Sequence, residues 1–275
     1  MSIHRHRDFS WVAALSAAAL VAAAPAWAAP ASPDAKPVPG QPFTGTPAGA
    51  LYGAKTGTPD ISGVWMATGK LSKDWSPKPV FTPKYEAIYE KRLAADKAGS
   101  PLADPGARCL PHGLPTALQF GGYPIEIIET PGRVTVIKEQ LAQTWRIWTD
   151  GRGHPTDPDP NFLGHSIGHW EGDTLVVDIV GLRDDTLLNM ARTMPHSTAL
   201  HVVQRWRKID PTTLELKMTA DDKDAFAGTT ESTTIYKLRN DYEILELFCE
   251  GPGFDINPDG TFSDSPHSPD IAQKK

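Results

Sequence analysis

The chain has 275 residues, of which 40% are hydrophobic, and its formal net charge is −6 at pH 7. An acidic chain without basic clusters is a poor candidate for binding nucleic acid or an anionic membrane surface. The length allows two domains, but all-β barrels and sandwiches of this size also fold as one. The composition therefore favours a small molecule or another protein as the partner, and it leaves the oligomeric state open.

The first 28 residues have the features of a secretory signal peptide. Arg5 and Arg7 form a positive n-region, and Trp11–Ala24 is an apolar h-region too short to span a bilayer stably. Ala26–Ala28 matches an A-x-A cleavage site. We therefore expect cleavage after Ala28 and a periplasmic or secreted protein without an integral membrane segment. An uncleaved membrane anchor is the alternative.

Both cysteines, Cys109 and Cys249, lie in the part of the chain that is predicted to be exported. An even number of cysteines in an oxidising compartment favours one disulfide. The alternative is a nucleophilic or metal-binding thiolate.

Composition divides the rest of the chain into three segments. Residues 29–59 are rich in proline, glycine, alanine and threonine, which predicts a flexible arm. Residues 251–275 have a similar polar composition and are predicted to be a disordered tail. The segment between them, residues 60–250, is predicted to be one domain.

One helix and one long loop are predicted near the start of this domain. Thr82 is a suitable N-cap, Pro83 stands at the first turn, and Gly99 ends the helix. An amphipathic stripe predicts that this helix caps one end of a sheet. Residues 103–122 contain several prolines and glycines and form an irregular loop, a type of segment that is often functional.

Most of the remaining domain is predicted to consist of strands joined by short turns. Successive hairpins without intervening helices favour an all-β fold, and a sheet of this length tends to close. We therefore predict an antiparallel up-and-down barrel of about 8–10 strands, with a sandwich as the alternative. The predicted strands are 61–67, 124–130, 134–139, 143–149, 162–170, 174–180, 200–208, 214–220, 232–239 and 242–249.

The densest polar chemistry lies in the segment GHSIGHWEGDTLVVD, residues 164–178. Strand alternation places His165 and His169 on one face of a hairpin strand. Four residues along an extended strand separate them by about 13 Å, which is too far for one shared metal ion. We therefore predict no metal site here. A composite site would have to recruit another histidine through the fold, from His154, His196 or His201.

Acid–base chemistry requires one titratable group within reach of a substrate and a neighbour that tunes it. Candidate catalytic residues occur in this hairpin and in the loop before it: His165, His154, Asp150 and Glu171, with Asp178 as a further acid or base. The structural alternative is that the histidines are hydrogen-bonded scaffold residues and that the carboxylates are turn residues. The chain lacks a G-x-S-x-G elbow, a phosphate-binding loop and a dinucleotide fingerprint. Neither a serine hydrolase nor a nucleotide cofactor is therefore expected.

Several predicted strands carry polar side chains on both faces, so the barrel interior is expected to be partly polar. Such an interior suits a ligand cavity, and aromatic rings stack well on planar ligands. The predicted ligand-binding residues are His169, His201, Arg205, Trp145 and Trp170.

Two patterns resemble known protein families. Gly63-Val64-Trp65 on the first predicted strand is similar to the Gly-x-Trp motif of lipocalin-like proteins. The segment 150–178, together with Pro195-His196-Ser197 and the hairpin that starts at Leu200, resembles an exported bacterial family of unassigned function. That family carries a GHS(I/V)GxWEGDTLVV signature. The resemblance covers roughly residues 60–250, implies a lipocalin-like barrel, and favours His165 over His169, because many members have arginine at the second position.

The sequence therefore predicts a periplasmic enzyme that performs acid–base chemistry without a cofactor, of the isomerase, lyase or hydratase type. Its substrate is expected to be small, apolar, and aromatic or polycyclic, and to bind inside the barrel. The first alternative is a non-catalytic carrier that uses the same cavity. The second is a structural protein of the envelope, which would have a solid apolar interior.

Overall fold

The computed structural model describes residues 59–68, 73–119, 121–247 and 254–264. The predicted signal peptide, nearly all of the predicted arm, and Cys249 lie outside these residues. The Cys109–Cys249 disulfide therefore remains a prediction. No helix of the described residues combines the length and the apolar character needed to cross a membrane.

The described residues form strands and one α-helix, α1, at Pro83–Lys97. Two short 3₁₀ helices follow it, at Pro105–Arg108 and Thr116–Leu118. The strands are β1 Gly63–Ala67, β2 Lys73–Ser76, β3 Val80–Phe81, β4 Ile125–Thr130, β5 Arg133–Lys138, β6 Gln143–Trp148, β7 His165–Glu171, β8 Thr174–Val180, β9 His201–Asp210, β10 Thr213–Asp221, β11 Phe226–Ala227, β12 Thr229–Leu238, β13 Phe254–Ile256 and β14 Phe262–Asp264.

Nine of these strands close into a barrel. Their order is β1-β4-β5-β6-β7-β8-β9-β10-β12, and β12 pairs back with β1 through Trp65 and Leu238. Strand β2 extends the sheet beyond β12. The prediction of an all-β barrel with a single helix is confirmed. Within the segment predicted to be a disordered tail, the structure describes the small hairpin of β13 and β14.

The strand directions and the last strand differ from the prediction. Strands β6 and β7 pair in parallel, so the barrel is mixed rather than purely antiparallel. The long connection 149–164 folds back so that β7 starts beside the last residues of β6, where Ile147 pairs with Ser166, and then continues in the same direction. The predicted strand 242–249 is described only for residues 242–247, and these residues do not form a strand. Leu247 makes only an isolated bridge to Gln140. Strand β1 closes the barrel instead.

The described part of the barrel interior is a packed core. Trp206 lies at its centre, with ring centroids 6.5 Å from Trp145 and 5.8 Å from Tyr236. Inward-facing aliphatic side chains from the other strands surround these rings. Aromatic side chains therefore occupy the space inside the barrel in which the sequence predicts a ligand cavity.

The loop 103–122 plugs one end of the barrel. Leu114, Ala117 and Leu118 are buried in the core cluster. The hydroxyl of Tyr236 donates to the carbonyl of Leu118, and the ammonium of Lys138 donates to the carbonyl of Ala117. A space of only about 10 Å³ remains between this plug and the strands. The irregular loop thus contributes to the core.

Helix α1 forms where the sequence predicts it. Thr82 is the N-cap residue with extended backbone, and Pro83 begins the helix. The hydroxyl of Thr82 donates to the carbonyl of Asp224 and does not accept from an N–H group of the first helical turn. Tyr85 and Tyr89 are buried, and the ring of Tyr89 stacks on Phe81 with centroids 5.3 Å apart. These tyrosines fix the helix against β3.

Candidate functional site

The hairpin of β7 and β8 positions the histidines of the GHSIGHWEGDTLVVD segment. Its turn has Gly172 at φ +60°, a backbone conformation that favours glycine. Ser166, Gly168 and Trp170 face inward, so His165 and His169 face outward. A Cβ atom at Gly168 would lie 2.8 Å from Cγ2 of Ile147, so glycine allows β7 to approach β6.

Five side chains form a continuous hydrogen-bonded chain on the outer face of the barrel. Nδ1 of His165 lies 2.8 Å from Nδ1 of His154, and Nε2 of His154 lies 3.0 Å from Oδ1 of Asp178. The same carboxylate oxygen lies 3.1 Å from Nε2 of His201, whose Nδ1 lies 2.9 Å from Oδ1 of Asp221. We call these five residues the outer network.

Strand register explains why these residues meet. Asp178 on β8 stands opposite Ile167 on β7, so His165 is its diagonal neighbour on the same face. His201 on β9 stands directly opposite Asp221 on β10. The connection 149–164 then brings His154 over the hairpin, with its ring centroid 5.0 Å from that of His165.

Hydrogen-bond chemistry determines the proton positions along one arm of the network. An ionised Asp178 can only accept, so His154 donates its Nε2–H to this carboxylate. A neutral His154 then has no proton on Nδ1 and accepts from the Nδ1–H of His165. Nε2 of His165 consequently carries the free lone pair that a general base needs.

The two ends of the network favour opposite charge states. Burial, followed by the nearby His154 and Arg152, lowers the pKa of His165 and favours its neutral form. Partial burial also acts to lower the pKa of His201, but its hydrogen bonds to Asp178 and Asp221 outweigh this effect and raise it. Both ring nitrogens of His201 face carboxylate oxygens, and the imidazolium is the form that donates to both.

A groove of about 260 Å³ adjoins His165 between β6 and β7. Its lining includes Arg146 and Trp148 from β6 and Leu163 from the connecting loop. Arg146 is exposed and forms no ion pair with the described residues. The groove thus places an imidazole base, an indole ring and a guanidinium beside one another.

Asp150 acts in this region through Arg152. Its carboxylate accepts from Nε and Nη2 of Arg152 at 2.9 and 2.6 Å, and this bond lowers the pKa of the exposed Asp150. The guanidinium of Arg152 lies 3.9 Å from the ring centroid of Trp148. Asp150 therefore orients Arg152 and has no hydrogen bond to the histidines.

Three other predicted site residues form a separate surface cluster toward the far end of β7. Nε2 of His169 lies 3.1 Å from Oε1 of Glu171, and Arg205 donates to Oε2 of Glu171 at 2.7 Å. All three side chains are exposed. The structure therefore does not bring Glu171, His169 or Arg205 to His165.

The two predicted tryptophans face inward. Trp145 is buried, and its indole N–H donates to the hydroxyl of Ser166 at 2.8 Å. Trp170 packs against the core and, with His169 and Glu129, lines a smaller cavity of about 160 Å³. Burial raises the pKa of Glu129, although its carboxylate accepts from the backbone N–H of Ile61. Trp145 is mainly a core residue that also borders the groove.

The sequence analysis does not identify three members of this site, Asp221, Arg152 and Arg146, and it gives Asp178 only as a further acid or base. Regular pairing outward from the turn at 211–212 would place Asp222 opposite His201, and only the register shift between Thr213 and Leu214 brings Asp221 there. For Arg152 the signal was its position two residues after Asp150.

The contacts of the outer network are hydrogen-bond distances, and the described residues contain no group of three or more histidine, cysteine or carboxylate side chains placed to hold a metal ion. No family model matches the chain, and a search of curated proteins finds no match.

Proposed function

We propose that this protein is an enzyme that moves a proton on a small molecule without a nucleotide cofactor, with His165 as the general base. The observation that carries the proposal is the chain from Asp178 through His154 to His165, with contacts of 3.0 and 2.8 Å. An imidazole that is oriented by a second residue and backed by a carboxylate is a recurrent arrangement for proton transfer.

The charge states support this role. The lowered pKa of His165 keeps its imidazole unprotonated at neutral pH, so it can accept a proton from a substrate. When it does, the positive charge is shared with His154 and offset by Asp178, which is only partly exposed. Asp178 is a positioning residue in this scheme, because it does not line the groove.

The groove supports an aromatic or bicyclic carbonyl compound as the substrate class. Loss of a proton next to a carbonyl places negative charge on its oxygen, and Arg146 lines the groove where it can stabilise that oxygen. Trp148 and Leu163 supply apolar contact for a planar body. Isomerases, lyases and hydratases share this first proton abstraction. A periplasmic location belongs to the proposal and follows from the predicted signal peptide.

Hydrogen–deuterium exchange tests the proposal without knowledge of the natural substrate. The full chain is incubated in D₂O with 1-indanone, 2-tetralone or phenylpyruvate, and loss of the α-proton signal is followed by NMR. We expect exchange above the buffer rate for at least one probe. His165→Gln should lower it by about 10²-fold or more, whereas His169→Gln on the same strand should leave it within about 2-fold.

The pH profile of the exchange rate distinguishes a positioning role of Asp178 from a merely structural one. Asp178→Asn should lower the exchange rate and also move the midpoint of its acid limb, because the carboxylate no longer holds the proton on Nε2 of His154. A merely structural role would leave that midpoint unchanged. Exchange that never exceeds the buffer rate, or that survives His165→Gln, contradicts the proposal. Saturable binding of a probe without exchange would instead favour the carrier.

A further inference from the structure

A further cavity of the described residues lies away from the outer network, beside helix α1. It has a volume of about 640 Å³, within the range of small-molecule sites. Its walls come from α1, the 3₁₀ helix Pro105–Arg108, the segment 184–196 between β8 and β9, and the turn 257–260. Neither the outer network nor the groove contributes a residue to it.

The floor of this cavity is a fixed polar pair, Thr186 and His196. Both are about 1% exposed, and Nε2 of His196 lies 2.8 Å from the hydroxyl of Thr186. The carbonyl of Ser197 can only accept, so Nδ1 of His196 donates to it at 2.9 Å. Burial lowers the pKa of His196, although nearby carboxylates act in the opposite direction. The floor is therefore polar but uncharged at neutral pH.

The carboxylates on the wall are mostly neutralised. Asp185 accepts both Nε and Nη2 of Arg183, at 2.8 and 2.6 Å. Asp104 accepts from buried His112 at 2.9 Å and lies 3.7 Å from Nε of Arg192. Among the described residues on this wall, Asp184 is the remaining carboxylate without an ion pair.

The cations on the wall are not neutralised to the same extent. Arg92 donates to the carbonyls of Leu102, Ala103 and Arg192, and its positive charge is attracted to Asp104. Arg108 and Lys84 line the cavity and form no ion pair with described residues. The lining has three cations and three carboxylates, and the partners Arg183 and Arg192 add two positive charges beside it, in a chain whose formal net charge is −6.

The rim supplies an apolar surface beside these cations. Ile88 and Leu110 are 37% and 39% exposed, and both line the cavity. Tyr85 and Leu187, which are buried, continue the apolar wall inward. Apolar contacts for a ligand body with a few polar groups for orientation are typical of small-molecule sites.

We propose that this cavity binds a small organic anion, with its carboxylate beside Arg108 and Lys84 and its apolar body between Ile88 and Leu110. The site is independent of the proposed proton transfer at His165. A carboxylate ligand gains charge-assisted hydrogen bonds from an arginine that has no partner of its own. An uncharged or cationic analogue of the same length lacks this gain.

Three ligands of equal chain length test the proposal: hexanoate, hexanamide and hexylammonium. Each is titrated into ¹⁵N-labelled full-length protein, and Kd is obtained from the amide chemical shifts. Hexanoate should bind at least about 10-fold more tightly than the other two, with shifts concentrated at α1 and residues 103–110. Arg108→Gln should weaken hexanoate at least about 10-fold, whereas Arg207→Gln, which changes an exposed arginine outside the cavity, should change Kd less than 2-fold.

A second variant keeps the test valid if Arg108→Gln disturbs the fold. Leu110→Asp adds a like charge at the exposed rim and should weaken hexanoate while leaving hexylammonium binding equal or stronger. Absence of saturable hexanoate binding, equal affinity for hexanamide, or insensitivity to both variants overturns the proposal.

Discussion

The inner and outer faces of the same barrel strands have different chemistry. On β9, Trp206 points inward and is 1% exposed, whereas its neighbour Arg205 points outward into solvent. On β8, Val177 is buried in the core, and Asp178 beside it joins three histidines into the outer network. The inner face therefore consists of buried packing residues, while the outer face carries titratable groups.

This difference indicates that neighbouring groups adjust the pKa of a titratable side chain at moderate cost where water still reaches it. The members of the outer network are partly exposed, so their charges are offset by neighbours at moderate cost. Lys138 shows the contrast, because burial inside the barrel lowers its pKa to about 7. Burial lowers the pKa of Lys138, whereas the hydrogen bonds to Asp178 and Asp221 raise the pKa of the partly exposed His201.

The largest expected effect tests the division between the faces on one strand. Trp206→Ala should lower the free energy of unfolding by about 3–5 kcal/mol, because it opens a cavity in the centre of the core. Arg205→Ala should change it by less than about 1 kcal/mol, since its ion pair with Glu171 is exposed. Urea unfolding of both variants measures the contrast. Equal losses would mean that the outer face is also part of the structural core.

A smaller effect tests the buried charge on the inner face. The folded pKa of Lys138 is about 7 against an ordinary value of 10.5, so the unfolded chain binds an extra proton between these values. The wild-type stability should therefore rise with pH, by about 2–3 kcal/mol between pH 7 and pH 9. Lys138→Met should lack this rise in urea unfolding at the two pH values. An unchanged pH dependence would show that Lys138 is charged in the folded protein.

The smallest effect concerns the outer network and has the opposite sign with pH. The raised folded pKa of His201 gives a stabilisation that is complete below its ordinary pKa of 6.5 and is lost as pH rises through the raised value. His201→Gln should therefore destabilise the protein at pH 6, by less than about 1 kcal/mol because the site is partly exposed, and have no effect at pH 9. NMR titration of the histidine ring protons provides the direct check. A His201 pKa at or below 6.5 would remove the imidazolium from the network.

The pKa of His201 also bears on the proposed function. His165 and His201 belong to one hydrogen-bonded chain, yet their pKa values shift in opposite directions. Environments that push the pKa values of linked groups apart are typical of acid–base sites. If the two histidines titrate together, the network is only structural.

Local patterns in the sequence predicted much of the fold. Strand β8 has the predicted bounds, and the helix begins at the predicted Pro83. Glycines such as Gly172 indicate the positions of the hairpin turns, because few other residues adopt the backbone angles that these turns require. The parallel pairing of β6 and β7 could not be read in this way, since it depends on where the connection 149–164 returns the chain. The burial of residues 103–122 as a plug also could not be predicted, because an irregular loop has no hydrophobic periodicity that would indicate burial.

The candidate site was predicted in part. The sequence singled out His165 and His154, and the structure places their Nδ1 atoms 2.8 Å apart. Glu171 is a candidate in the sequence only because it lies near His165 along the chain. On an extended strand each residue adds about 3.3 Å, so six residues separate the two side chains widely, and Glu171 pairs with His169 instead.

The sequence by itself determined that this chain forms hairpins, which strand residues share a face, and that His165 and His169 are too far apart to act together. Periodicity and turn chemistry are local properties, so one sequence is enough to reveal them. Tertiary structure alone decided which face is the inside, because that choice depends on how tryptophans from β6 and β9 pack across the barrel. It also decided that Asp178 and His201 join His165 and His154, and that helix α1 and the segment 184–196 enclose a second cavity. Both arrangements arise from contacts between residues distant in the chain, which closure of the sheet brings together.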